Sequence, residues 1–354
     1  MAPVVKALRS NSQHRVSLCT TGQHREMLSQ ALLDFGLQAD ASLDVMEHDQ
    51  TLAGLTARLM DGCDRLLNSL CPDWVLVQGD TTTVMAASLA AFYRNIKVGH
   101  VEAGLRSHEK RSPFPEEANR KMTSVLADVH FCPTEGARSN LLREGVDPAS
   151  LVLTGNTVID AVLWTRDNLG APEALLPKAV LDALDAGKKI LLVTCHRREN
   201  FGEPLGRILT ALRQIASTHP ECLMVFPVHL NPKVRNVVKL QLGGIDNILL
   251  IEPCSYRPLV ALMSICHIIV TDSGGLQEEA PALDKPVVVL REVTERPEGV
   301  EVGVARLAGT QVASIVNEVE RLLTDEDAYY AMANTPNPYG DGLASHRIRQ
   351  AIYG

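Results

Sequence analysis

Ile268-Ile269-Val270-Thr271-Asp272-Ser273-Gly274-Gly275-Leu276-Gln277-Glu278-Glu279 carries the reading of the fold. Four residues of a β-prone run lead into a turn of small residues and then a helix start, the parts of one βα unit. Backbone N–H groups at such a turn, with the helix dipole behind them, can receive a phosphate without a cation. The competing reading is a helix cap, in which Asp272 or Ser273 satisfies the orphan amides of the first turn. Two glycines after a strand are common enough to leave both readings open. Glu279, in the same helix, can accept from ribose hydroxyls or can simply be an acid favoured by the dipole.

The same unit recurs in both directions along the chain. Strand-like runs fall at 15–20, 74–78, 96–101, 129–132 and 151–154, then at 189–194, 222–227, 248–251, 268–271 and 286–290. Amphipathic stretches of about 10–18 residues separate them, for example 51–70, 83–93, 118–127 and 203–217, the pattern of parallel sheets covered by helices. The chain has 354 residues, 45% of them apolar, which at roughly 150 per domain gives about two domains with ample cores. The expected fold class is α/β with two Rossmann-like domains facing a cleft. The first spans 1–167 and is joined by a C-terminal helix at 344–354, and the second spans 189–343. Between them 168–188, with Gly170, Pro172, Pro177 and Gly187, reads as a hinge plus a short helix, and 334–342 reads as a turn-rich link.

Charge and cysteine usage narrow the partners. Thirty-four basic residues against forty-two acidic ones leave a formal net charge of −8, and no basic cluster offers a footprint for nucleic acid. No run approaches the roughly 18–20 apolar residues that span a bilayer, and the first twenty residues carry no secretory signal. A soluble, cytoplasmic protein is expected. The eight cysteines form no CxxC pair, and several lie in apolar runs such as 16–19, so buried free thiols in a reducing compartment are expected. The opening Met1-Ala2-Pro3-Val4-Val5-Lys6-Ala7-Leu8 reads as a helix already under way, with proline in its first turn.

Ligands in open parallel sheets bind beyond the carboxyl ends of the strands, and five runs lead into polar residues there. They are followed by Gly79-Asp80-Thr81-Thr82-Thr83, Glu102-Ala103-Gly104-Leu105-Arg106, His196-Arg197-Arg198-Glu199-Asn200, His229-Leu230-Asn231-Pro232 and Asp272-Ser273-Gly274-Gly275. Asp80 can cap the next helix or do chemistry. Glu102 ends a mostly apolar strand, where a carboxylate is costly unless it faces a polar cleft. The charged stretch 106–121 is a solvated loop or a mobile substrate lid, and Glu116 and Glu117 suit a first helical turn through the dipole alone. His196, with Arg197 and Arg198 behind it, can carry a proton and hold an anion, although a lone histidine at a strand end is more often structural. No HExxH, DxDxDG, Walker A, nucleophile-elbow or GxGxxG spacing occurs, which disfavours metal, P-loop, serine-hydrolase and hydride chemistry.

Taken together with Pro115-Glu116-Glu117-Ala118-Asn119-Arg120, Pro227-Val228-His229-Leu230-Asn231-Pro232 and Thr294-Glu295-Arg296-Pro297-Glu298, these motifs resemble the non-hydrolysing UDP-N-acetylglucosamine 2-epimerases of bacteria over essentially the whole chain. The resemblance implies the GT-B architecture and interconversion of UDP-GlcNAc and UDP-ManNAc for surface polysaccharides, without cofactor or metal. It implies anti-elimination of UDP to a 2-acetamidoglucal, then re-addition. By resemblance Asp80, Glu102 and Glu116 are the carboxylates of the catalytic centre and His196 belongs beside the diphosphate. Arg197, Ser273, Gly274 and Gly275 are expected at the diphosphate, Glu279 at the ribose, Leu259 and Cys254 near the uracil, and Arg296 at the nucleotide. Cys254 stands where some members have glutamine, a contact usually made through the backbone. Gln23, His24 and His229 match a second, activating substrate site, although 21–24 can equally begin a helix. A homodimer is the family habit.

Members of the family also begin with a strand and a Gly-Thr-Arg-Pro-Glu loop ahead of the helix matching 1–8. The expectation is that this chain starts downstream of that loop, because Met1 coincides with an internal methionine of the pattern. The competing functions are a hydrolysing 2-epimerase, a GT-B glycosyltransferase, or a UDP-sugar-binding protein without catalysis.

Overall fold

A computed structural model of the chain describes residues 1–22, 25–47 and 49–354. They divide into two compact units, Met1–Ala161 with Gly340–Gly354, and Val162–Tyr339.

The first unit holds β1 (Cys19–Thr20), β2 (Ala41–Ser42), β3 (Trp74–Gln78), β4 (Lys97–Val101), β5 (Val129–Cys132) and β6 (Leu151–Leu153). The last four form a parallel sheet in the order β3-β4-β5-β6, and β1 and β2 pair separately. Alternation along the strands sends Val101 and Phe131 to one face, where Val4 and Leu8 of helix Ala2–Arg9 and Ile348 of helix Ala344–Tyr353 cover them. Val77 and Val98 go to the other face, against Cys63 and Leu67 of helix Leu52–Leu70 and Val84 and Ala90 of helix Thr82–Tyr93. Asp160 ties the C-terminal helix down by accepting from the backbone N–H groups of Ala344 and Ser345 at 3.1 and 2.7 Å.

The second unit holds β7 (Lys189–Thr194), β8 (Cys222–Pro227), β9 (Ile248–Ile251), β10 (Ile268–Thr271), β11 (Val287–Val289) and β12 (Ala305–Leu307). Their order, β12-β11-β10-β7-β8-β9 with every pair parallel, is doubly wound, so the chain runs outward in opposite directions from β7 and β10. These strands are buried on both faces. Leu191, Val193, Met224 and Phe226 pack with helix Glu203–Thr218 on one side, and Ile190, Leu192, Leu223 and Val225 with helix Tyr256–Ile265 on the other. The 168–188 stretch forms a short turn, Pro172–Ala174, and helix Lys178–Asp185, and it buries Leu176, Val180 and Ala183 in this second core.

The strands β3, β5, β7, β8, β9 and β10 keep the bounds expected from sequence. The expected strand at 15–20 is reduced to Cys19–Thr20, because Asp40 intervenes. Its carboxylate accepts from Leu18 N–H at 2.6 Å while its own N–H bonds Leu18 O at 2.7 Å. All eight thiols are free, but Cys19 and Cys71 are exposed and Cys254 is half-buried, so burial holds for the other five. Among the described residues no helix is long and apolar enough to cross a membrane.

Candidate active site

In the first unit the chemistry gathers where β3 and β4 end. Gly79 turns at φ +83° directly after β3, and its carbonyl accepts from His100 Nε2 at 2.8 Å. Burial pushes the His100 imidazole down to about 4, so a neutral ring holds this turn. Asp80 does not cap the following helix, whose N-cap is Thr81 without a side-chain bond. Instead Arg120 Nε and Nη2 both donate to Asp80 Oδ2, at 3.1 and 2.7 Å, and Asn119 Nδ2 donates to the Asp80 carbonyl at 2.9 Å.

Glu102 follows β4 in the left-handed region at φ +65°, a conformation costing about 1–2 kcal/mol for a residue with a Cβ. Gln78 Nε2 donates to its Oε2 at 3.3 Å. Two residues on, Gly104 lies at φ +89° with the Ala137 carbonyl oxygen 2.2 Å from where a Cβ would stand, so only glycine fits the turn. Glu116 opens helix Glu116–Leu126, and its Oε2 is buried without a hydrogen-bond partner among the described residues. Asp80, Glu102 and Glu116 therefore come from two strand ends and one helix start of a single unit. A larger hollow of about 590 Å³ in this unit, lined by Ala127, His130 and Ser150, lies at the amino ends of β5 and β6, away from these carboxylates.

In the second unit the site lies at the point where the strand order reverses, between the ends of β7 and β10. Asp272 is fully buried there. Burial favours its neutral form, but His196 Nδ1 at 3.2 Å, the Arg197 N–H at 2.9 Å and Asn200 Nδ2 at 3.0 Å outweigh that and hold its carboxyl below the ordinary value. Asp272 thus shapes the 196–200 loop and leaves the amides of helix Gly274–Glu279 to others. Ser273, the N-cap, makes no side-chain bond either. Arg197 Nη2 lies 3.3 Å from where a Cβ on Gly274 would stand, so a guanidinium covers the turn and glycine makes room for it.

A hollow of about 230 Å³ at this end is lined by His196, His229, Cys254, Leu259, Ser273, Gly275 and Glu279, among others. Burial pushes the Glu279 carboxyl up to about 7 against the Tyr256 hydroxyl, which donates to Oε1 at 3.0 Å. His196 and His229 face each other with ring centroids 6.4 Å apart. Of the residues expected at the nucleotide, Arg197, Gly274 and Arg296 do not line the hollow, and Arg296 pairs with Glu278. Gln23 and His24 lie outside the described residues. Reading by motif gave no role to Arg120, Asn119, Tyr256 or the anchoring function of Asp272. Arg120 carried the only signal, a cation three residues after Glu117 on one helical face.

Residues 6–353 match the family model described as UDP-N-acetylglucosamine 2-epimerase. A Yersinia pestis protein described as UDP-N-acetylglucosamine 2-epimerase is 52% identical over 99% of this chain and 94% of its own length, and an Escherichia coli K12 protein of the same description is 51% identical over the same shares. A crystal structure of a Neisseria meningitidis UDP-GlcNAc 2-epimerase bound to UDP-GlcNAc matches with a TM-score of 0.84 at 44% identity, covering 99% of this chain and 95% of the other. Two parallel α/β units, polar strand ends in the expected places and full-length similarity at this level have one common account, and the chain belongs to the UDP-N-acetylglucosamine 2-epimerase family.

Proposed function

We propose that the protein interconverts UDP-GlcNAc and UDP-ManNAc by removing UDP and adding it back. In the forward direction the C2 proton passes to a carboxylate, the C1–O bond breaks, and UDP leaves with the electron pair to give a 2-acetamidoglucal. In the return, a proton arrives at C2 on the opposite face and the UDP oxygen re-forms the bond to C1. The sequence of steps is redox-neutral.

The hollow at the strand-order reversal carries the reading. Its Ser273 and Gly275 backbone, with Arg197 over Gly274, suits a diphosphate, and Glu279 suits paired ribose hydroxyls. Leu259 and the Cys254 backbone are assigned to the uracil, and His196 to the diphosphate and sugar. Asp80 and Glu116 are assigned to proton transfer, with Glu102 as the third carboxylate. His229, beside His196, is assigned to an activating substrate molecule, and the protein to a homodimer.

Incubation with UDP-GlcNAc in D2O, followed by proton NMR, tests the function. UDP-ManNAc carrying deuterium at C2 is the expected product. Free ManNAc would instead mean hydrolysis, an acceptor requirement would mean glycosyl transfer, and saturable binding without exchange would mean a non-catalytic sugar-nucleotide binder.

A further inference from the structure

We propose that Arg120, anchored by the fully buried Glu117, is a positioning residue that presents one chosen oxygen of Asp80 to the reacting carbon. This deepens the reading above and rests on its assignment of Asp80. Arg120 Nη1 donates to Glu117 Oε2 at 3.1 Å, while Nε and Nη2 converge on Asp80 Oδ2 at 3.1 and 2.7 Å. Exposure falls inward along this row: the side chain is 27% exposed at Asp80, 17% at Arg120 and 0% at Glu117.

The arrangement is one-sided. The Nε–Nη2 edge of an arginine can grip both oxygens of a carboxylate, as Arg94 grips Asp64. Here both nitrogens converge on Asp80 Oδ2 while Nη1 goes to Glu117, and Oδ1 receives no hydrogen bond among the described residues. Glu117 is itself held by the Ser107 N–H at 3.1 Å, which fixes the guanidinium from its buried side. Asn119 and His100 fix the Asp80 backbone and the Gly79 turn from two other sides. Oδ1 is thereby the oxygen left for the C2 proton, and misplacement by about 1 Å in such a step costs about 100-fold in rate.

Steady-state epimerisation by Arg120→Met, Arg120→Lys and Asp80→Asn tests this, with UDP affinity measured by titration. Arg120→Met is expected to lower kcat at least 50-fold with KM and UDP affinity within threefold of wild type. Arg120→Lys, which keeps the charge but not the fork, is expected to recover part of that kcat. Glu117→Gln/Arg120→Gln removes both charges together, and it is expected to lower kcat like Arg120→Met should the single variant not fold. A kcat above half of wild type in Arg120→Met or the double variant, with Asp80→Asn inactive, would overturn this inference alone. So would a loss confined to KM, or an Arg120→Lys no better than Arg120→Met. An active Asp80→Asn would overturn the assignment of Asp80 itself, and this inference with it.

Discussion

Asp80 and Asp272 each precede a helix, and neither caps it. Both readings were open in the sequence because the deciding partners are remote: Arg120 is 40 positions from Asp80, and His196 is 76 positions from Asp272. Local patterns report caps well, since a cap is satisfied within three residues, but they say nothing of a carboxylate claimed by a residue remote in sequence. Asp272→Asn keeps the shape, removes the charge and leaves a donor facing donors. It is expected to cost about 3 kcal/mol in urea unfolding, the range for breaking a buried charged network.

Glu279 supplies the pH signature at this scale. Its folded value of about 7 lies above the ordinary 4.5, because burial disfavours the charge. Between those values the folded state keeps a proton that the unfolded state has lost, so stability falls as pH rises from about 4.5 to about 7 and is level above. The full effect is roughly 3 kcal/mol. Glu279→Gln is expected to remove this slope, so unfolding at pH 5 and pH 8 should show the variant gaining on wild type at the higher pH.

At the scale of elements, the parts read correctly from sequence are the long apolar runs of β7, β8 and β10, buried on both faces by helices. The parts read poorly are short and half-exposed. β2 and β12 span two and three residues, with no period to detect, and the run at 15–20 looked continuous until Asp40 bonded into it. Turn chemistry was legible only as composition. Gly104 belongs to the Glu102-Ala103-Gly104-Leu105-Arg106 run, yet its necessity comes from the Ala137 carbonyl pressed against it. Gly104→Ala is expected to cost about 2–4 kcal/mol from the collision and the positive φ together. Ile348→Ala, which empties a fully buried place between the C-terminal helix and Val101 and Phe131, is expected to cost a similar 2–4 kcal/mol. Urea unfolding of the two variants checks both figures.

At the scale of the whole molecule, length and the alternation of strands with helices were enough for two α/β units. The strand order of the second unit was not legible, because it depends on which helix covers which face, although the polar strand ends that line its crevice were. The excess of acidic residues is compatible with an anionic substrate for a local reason. In the proposed reading Arg197 and a few backbone amides would meet the diphosphate, and no broad basic surface is required. The central claim is that the sugar and UDP separate during turnover and rejoin. UDP-GlcNAc labelled with 18O in the oxygen bridging C1 and the β-phosphorus tests it, with 31P NMR locating the label in recovered sugar nucleotide. Departure and return of UDP predicts label spread over the bridging and non-bridging β-phosphate oxygens at a rate no slower than epimerisation. UDP-ManNAc formed with all of its label still bridging would contradict the account.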